Sequence, residues 1–263
     1  MPGVPWEMDA MLHKSVLPFL ARRAGAGATV SREILVIGLG ESVTHTKIAD
    51  IVEAQSNPTI AYLAGSGQVR VRITAKATSD ADALALIAPV EEEVRARLGP
   101  HALQGSHSRV SEALAELLRA RGVTVGVAES LTGGLIGSEL TRAKGASDYF
   151  KGSLVCYTPE AKRDVAGVDE AIILGPGTVS EAAARALAEG AARKLGADLG
   201  ISATGVAGPA EEEGKPVGTV FVAATFGGRT EARHILGYGD REHIRALAAT
   251  AAMDLGRRLV ESD

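Results

Sequence analysis

Apolar side chains recur at helical spacing through residues 8–24 (Met8, Met11, Leu12, Val16, Phe19, Leu20), and Gly25-Ala-Gly27 breaks the pattern. The strand-like run Glu33-Ile-Leu-Val-Ile37 then predicts a strand, and the stretch 43–54, capped by Ser42, predicts a helix. Asn57-Pro58 turns the chain into two short strand-like stretches, 59–63 and 69–75, with Gly65-Ser-Gly67 between them. Ser79 caps a long helical pattern that reaches Leu98, with a bend expected at Pro89, and Gly99-Pro100 closes it. The order β-α-β-β-α predicts a small α+β domain over 30–100. Residues 1–29 then stand apart as a separate helix, and 101–108, with His101 and Gly105, reads as a linker.

From 109 onward strand and helix alternate over longer stretches. Helices are expected at 111–120, 132–141 and 159–165, the last with a proline in its first turn. Ser180 caps a further amphipathic helix ending near Leu195-Gly196, and Asp240 opens a final one reaching about 260. Strands are expected at 124–128, 154–158, 199–203, 217–226 and 231–236. This alternation predicts an α/β fold for 109–263, a three-layer sandwich with helices on both faces of a mixed sheet.

Composition changes the picture in a few places. A chain of 263 residues is long enough for two compact units, and with only 3 % aromatic residues its cores must pack through small side chains. The formal charge of −4 argues against a nucleic-acid binder, whose footprint is normally basic. Cys156 is the only cysteine, which fits a reducing compartment. No apolar run is long enough for a membrane span and the first residues lack a signal-peptide pattern, so a cytoplasmic location is expected. The six histidines lack the helical spacing of a zinc site, and no metal is expected.

Four short stretches could carry chemistry. In Ala128-Glu-Ser130-Leu-Thr-Gly-Gly134 a strand breaks into a glycine turn, placing a hydroxyl beside unpaired N–H groups that could hold a phosphate or an oxyanion. Serine and threonine are also ordinary helix caps, and capping alone explains the stretch. In Val155-Cys-Tyr157-Thr-Pro-Glu-Ala-Lys162 a tyrosine at a strand end and a lysine one turn into a helix can point at one spot, although each is commonplace alone. Ser202-Ala-Thr-Gly205-Val-Ala-Gly208-Pro209 follows another strand with residues small enough for close backbone approach. Gly237-Tyr-Gly-Asp240-Arg241 places an arginine at the positive end of a helix, where a surface salt bridge or a bound phosphate would explain it.

Taken together and in this order, the stretches are specific. The region 108–261 resembles the C-terminal domain of the competence/damage-inducible CinA family, also known as stand-alone nicotinamide-nucleotide amidases. The likeness runs through the four stretches together with Gly177-Thr-Val-Ser180 and Lys215-Pro-Val-Gly-Thr219; the position after the serine, often Cys in the family, is Leu131 here. Residues 30–100 resemble the family's KH-type module, and the first residues look like the closing segment of a molybdopterin-binding-like domain most of which is absent. The resemblance implies deamidation of nicotinamide mononucleotide to nicotinic acid mononucleotide, in pyridine-nucleotide salvage, with Ser130, Tyr157 and Lys162 as the catalytic set.

Amide hydrolysis needs an activated nucleophile, a stabilised oxyanion and a proton for the leaving ammonia. Ser130 is the expected nucleophile, with Lys162 as its base when neutral and Tyr157 relaying the proton between them. Backbone N–H groups around Leu131–Gly134, with Thr132, Gly133 and Gly134 among them, are expected to hold the oxyanion, and Arg241, Thr204, Gly205 and Gly208 the phosphate. No cofactor is required, and a homodimer is the expected assembly. The competing reading is a KH-like nucleic-acid-binding module or a structural dimerisation protein with a degenerate amidase domain. Against the first stands the missing GXXG loop, since Gly38-Leu-Gly40 and Gly65-Ser-Gly67 have the wrong spacing.

Overall fold

The computed structural model describes residues 4–23, 27–65 and 67–263. Gly25 and Ser66, on which two of the expected breaks fall, lie outside the described residues. The chain opens with α1 (Pro5–Met11) and α2 (Leu17–Arg23), joined by a π-helical stretch, Leu12–Val16. Most of its apolar side chains, Trp6 and Leu20 among them, are exposed, and Leu12 and Val16 are half-buried.

The smaller unit contains β1 (Ala28–Ile37), α3 (Glu41–Glu53), β2 (Thr59–Gly65), β3 (Gln68–Ala77) and α4 (Asp80–Leu98). Its antiparallel sheet has the order β1-β3-β2. Along β3 burial alternates, so that Val69, Val71, Ile73 and Ala75 face Ile48 of α3 and Ile87 and Val94 of α4. The helix α3 starts at Glu41 after a Gly40 cap, and Ser42 lies inside it rather than capping it. The helix α4 is one continuous element through Pro89. The strand β1 begins five residues before the expected run because Ala28–Arg32 pair with Ile73–Ala77 while staying partly solvated.

The continuous apolar run at the end of β1 has a physical reason. Ile34 and Val36 enter the core of the small unit, whereas Leu35 and Ile37 enter the core of the larger one. The stretch expected to be a linker joins them there: Leu103 is buried and its N–H donates to the Leu35 carbonyl at 2.8 Å, while Ala102 bridges to Val36. Two apolar side chains are enough to dock it against both cores.

The larger unit comprises α5 (Val110–Arg121), β4 (Val125–Glu129), α6 (Leu135–Leu140), β5 (Phe150–Val155), α7 (Pro159–Ala161), α8 (Glu170–Leu174), α9 (Glu181–Leu195), β6 (Leu199–Gly205), β7 (Thr219–Phe226), β8 (Arg229–Leu236) and α10 (Arg241–Glu261). Its sheet order is β5-β4-β6-β7-β8, with β5, β4 and β6 parallel and the remaining pairs antiparallel. Val125, Val127, Ile201 and Val222 share a core with residues of α5 and α10, while Ala128 and Ala223 face α9 on the opposite side. This is a three-layer α/β sandwich with a mixed sheet. The short α8, capped by Asp169, is not signalled by any long period in the sequence.

The helix α9 lies close to the sheet because it meets it through Ala184, Ala188 and Ala191, while Gly190 lets the Ala166 carbonyl approach its other side. A Cβ on Gly200 would collide with the Ala188 carbonyl oxygen, which is backbone and cannot step aside. Gly200→Ala should therefore lower stability by about 1–3 kcal/mol. Denaturant unfolding would show this as a lower midpoint at constant slope, and an unchanged midpoint would mean that the α9 layer can shift freely.

Candidate active site

The strand β4 lies between β5 and β6, so its C-terminal end opens where their ends converge, the edge at which open α/β sheets bind ligands. It stops at Glu129, and the next residues turn before α6 begins at Leu135. Gly133 and Gly134 take left-handed backbone (φ 58° and 97°), which permits this tight turn. The Ser130 N–H donates to the Ala203 carbonyl at 3.0 Å, and the Gly133 N–H returns to the Ser130 carbonyl at 3.0 Å.

The side chain of Glu129 is fully buried and organises this turn. Its Oε2 accepts from the Gly134 and Ile136 N–H groups at 2.9 and 3.0 Å. Its Oε1 accepts from the Gly137 N–H at 2.9 Å and from Ser153 Oγ at 2.7 Å. The positive end of α6 is thus occupied by a carboxylate of the protein itself. This corrects the expectation that the turn's glycines offer their N–H groups to a substrate: both donors are already bonded, and the helix starts three residues later than the pattern predicts. The N–H groups of Leu131 and Thr132 have no acceptor among the described residues, and Thr132 Oγ1 is buried without a partner. From α10, Arg245 pins the same turn, donating to the Leu131 carbonyl at 3.0 Å and the Thr132 carbonyl at 2.8 Å.

The strand β5 ends at Val155, so Cys156 and Tyr157 belong to the loop beyond it, not to a strand. Thr158 caps the single turn α7, which passes into a π-turn, Lys162–Ala166. That geometry directs Lys162 inward, leaving it only 2 % exposed, with Nζ donating to Ser130 Oγ at 3.1 Å and to the Tyr157 carbonyl at 3.4 Å. Burial pushes the Lys162 ammonium below the usual lysine range, against the opposing pull of Glu212, Cys156 and Glu213.

Lysine and serine meet directly, without the expected tyrosine relay. The Tyr157 hydroxyl is exposed and accepts from Arg241 Nη2 at 3.0 Å, while Arg241 Nη1 donates to the Gly208 carbonyl. The Thr204 hydroxyl is spent inside the protein, donating to the Thr178 carbonyl at 2.8 Å. Gly205 is needed for packing, because a Cβ there would sit 2.5 Å from the Thr219 carbonyl oxygen.

A small cavity of about 90 Å³ lies over the Ser130–Lys162 pair. Of the residues expected at the site, Ser130, Tyr157, Lys162, Gly205, Gly208 and Arg241 line it, whereas Thr132, Gly133, Gly134 and Thr204 do not. A larger cavity of about 720 Å³ opens between the two units around Leu39, Tyr238 and Leu247, and neither Ser130 nor Lys162 reaches it. Among the described residues no cluster of His, Cys, Asp or Glu side chains is placed to hold a metal ion.

The chain matches the CinA C-terminal domain family over residues 107–260 and the damage-inducible protein CinA KH domain over residues 31–102. It belongs to the CinA family. Among curated relatives, a CinA-like protein of Frankia casuarinae is 44 % identical over 264 residues, covering 99 % of this chain and 61 % of that protein. A CinA-like protein of Dictyoglomus turgidum is 39 % identical over 261 residues, covering 98 % and 63 % respectively. The chain therefore spans a little under two thirds of the length of these CinA relatives. Among solved structures, a CinA superfamily protein of Klebsiella pneumoniae is similar with a TM-score of 0.57 at 32 % identity, over 59 % of this chain and 97 % of that one. The competence/damage inducible protein CihA of Agrobacterium tumefaciens gives 0.53 at 33 % identity, over 55 % and 90 %.

Sequence reasoning missed Glu129, Arg245, Thr178 and the Glu212–Glu213 pair in this CinA domain. Arg245 had a detectable signal, one helical turn beyond Arg241 on the same face. Glu129 had none, because a glutamate beside a serine reads as ordinary polarity until the strand's burial is known. Glu129→Gln would turn an NH₂ group onto N–H donors that have no other acceptor. It should cost about 1–3 kcal/mol in thermal or denaturant unfolding. A variant as stable as the parent would show that the turn holds without this carboxylate.

Proposed function

We propose that this chain is a nicotinamide-nucleotide amidohydrolase, converting nicotinamide mononucleotide to nicotinic acid mononucleotide and ammonia. The observation that carries the reading is the direct contact between a desolvated lysine and a serine at the mouth of a sheet-edge cavity. A buried lysine with a depressed pKa supplies the neutral amine that a serine hydroxyl needs as its base. In the reaction, neutral Lys162 takes the proton as Ser130 Oγ bonds to the carboxamide carbon. The oxyanion is received by the unpaired N–H of Leu131, which lines the cavity beside Ser130 and which Glu129 does not claim. Protonated Lys162 then gives its proton to the departing nitrogen, ammonia leaves, and an ester to Ser130 remains. A water molecule, deprotonated by the same lysine, hydrolyses that ester and frees the acid.

The cavity has room for a carboxamide and part of a ring rather than for a whole nucleotide, whose sites usually enclose several hundred cubic ångströms. Ribose and phosphate would lie at the mouth, where Arg241 is exposed and keeps three of its five N–H donors unspent on Gly208 and Tyr157. Tyr157 in this reading orients Arg241 and does not carry a proton.

The first test is ammonia release from nicotinamide mononucleotide by the purified chain, and its loss in Ser130→Ala at unchanged melting temperature. Wild-type turnover in that variant would reduce Ser130 to a turn residue. Replacing the base, Lys162→Met, should lower kcat by about 10²–10⁴ and remove the acid limb of the pH–rate profile. The same variant should melt higher at neutral pH. A lysine whose folded pKa lies below its unfolded value of 10.5 is harder to protonate in the native state, so it destabilises that state at every pH below that value. Full activity with an unaltered profile would exclude Lys162 as the base.

A further inference from the structure

Three glutamates follow one another at positions 211–213 and do different things. The Glu212 N–H donates to the Lys215 carbonyl at 3.3 Å and the Lys215 N–H to the Glu212 carbonyl at 2.9 Å, closing a two-residue hairpin turn. Its central residues, Glu213 and Gly214, have φ of 53° and 67°. Such turns favour Asn-Gly, and a glutamate at left-handed φ persists only where its side chain is held. Glu213 is held. Its Oε1 accepts from the Thr178 N–H and hydroxyl at 2.8 and 2.7 Å. Its Oε2 accepts from the Val179 N–H at 3.1 Å and Lys215 Nζ at 3.2 Å. Burial pushes this carboxyl up, but the hydrogen bonds outweigh it and bring it to about 2, so it stays ionised. A Cβ on Gly177 would collide with the same carboxylate, so the contact requires glycine there. The Thr178 carbonyl is in turn fastened to β6 by Thr204. The hairpin is bolted to the wall of the site.

The residue beside the bolt is Glu212, and it is the acidic side chain that lines the cavity over Ser130 and Lys162; Glu211 does not reach it and Glu213 is turned away. The other ionisable groups on that lining are Lys162, Tyr157 and Arg241. A cationic ring entering here would meet the guanidinium of Arg241 and, without Glu212, no opposing charge. We infer that Glu212, placed by the Glu213 bolt, selects substrates whose amide-bearing ring is positively charged, a pyridinium carboxamide over a neutral one. This deepens the amidohydrolase reading and rests on it. It also joins binding to activation: Glu212 favours the protonated form of Lys162, and a cation docked on that carboxylate cancels the effect, leaving the lysine in the neutral form that the reaction needs.

The test uses the full chain carrying Ser130→Ala, which binds without turnover, and two ligands of nearly the same shape. One is nicotinamide mononucleotide, and the other is its 1,4-dihydro form, whose ring is uncharged. Calorimetric Kd values should favour the oxidised nucleotide, and Glu212→Gln should reduce the ratio of the two constants by about fivefold, as for a partly solvated charge pair. Glu213→Gln, which turns an NH₂ group onto the Thr178 and Val179 donors, should reduce the ratio as well while leaving residue 212 intact. An unchanged ratio in Glu212→Gln overturns the inference. A ratio lost in Glu212→Gln but retained in Glu213→Gln overturns the bolt. Failure of the folded Ser130→Ala protein to bind either nucleotide overturns the amidohydrolase reading itself.

Discussion

An ammonium group taken out of water must either find a counter-charge or lose its proton, and Lys162 is where this chain imposes that choice. Its Nζ lies against a hydroxyl and a carbonyl, neither of which neutralises it, and Cys156 beside it is buried in apolar surroundings that push its own thiol up. The contact with Ser130 exists because two loops leave adjacent strands at the same edge. The strands β4 and β5 run parallel and, after a one-residue shift at Val125/Gly126, pair Glu129 with Val155, so the turn after Glu129 and the loop after Val155 begin side by side. The Cys156 N–H then donates to the Glu129 carbonyl at 2.7 Å, continuing the ladder one step past the strand end. Lysine and serine meet 32 positions apart in sequence because the sheet brings their loops together.

Around that contact the chain uses carboxylates to shape backbone. Glu129 gathers three N–H groups and a hydroxyl into the Ser130 turn, and Glu213 gathers two N–H groups and a hydroxyl into the opposite wall. A carboxyl group with this many donors is a rigid node, since an amide in its place would turn an NH₂ group onto them and leave donors unpaired. Arg245 does the converse, gathering two carbonyls of the Ser130 turn from the side of α10. The turn is therefore held from both ends of its peptide dipoles, and its unclaimed N–H groups face a fixed direction, which is the condition for electrostatic stabilisation of a developing oxyanion.

The layer order and most elements were legible in the sequence because period and caps report burial and chain reversal. Ser79, Ser180 and Asp240 cap the helices they were expected to cap. The readings that failed did so where tertiary contacts outweighed local pattern. Ser42 lost its cap role to Gly40, and the helix expected from Thr132 gave way to a turn because Glu129 takes the N–H groups that would start it. The docked segment at Ala102–Leu103 looked like a linker because two apolar residues make no period, yet they are buried between two cores. At the site, the residue types that carry chemistry could be named from their motifs, but not their partners. Nothing in a linear spacing says that Tyr157 turns outward to Arg241 while its carbonyl turns inward to Lys162.

Arg241 shows why a residue in the wrong place electrostatically can still be informative. A cation in the first turn of a 21-residue helix opposes the helix dipole, and Asp240 at the cap with Glu242 beside it offsets only part of that. The guanidinium is kept there by two acceptors on separate loops, the Gly208 carbonyl after β6 and the Tyr157 hydroxyl after β5. A planar fork can bridge two such acceptors at once and a lysine cannot. The arginine thereby ties three segments, from β5, from β6 and into α10, around the mouth of one cavity. Neither acceptor carries a charge, so the cation at the rim remains uncompensated by them. With a carboxylate at Glu212 on the same lining the mouth carries opposite charges, and on the amidohydrolase reading a zwitterionic ligand would lie with its anionic end toward Arg241 and its cationic end toward Glu212.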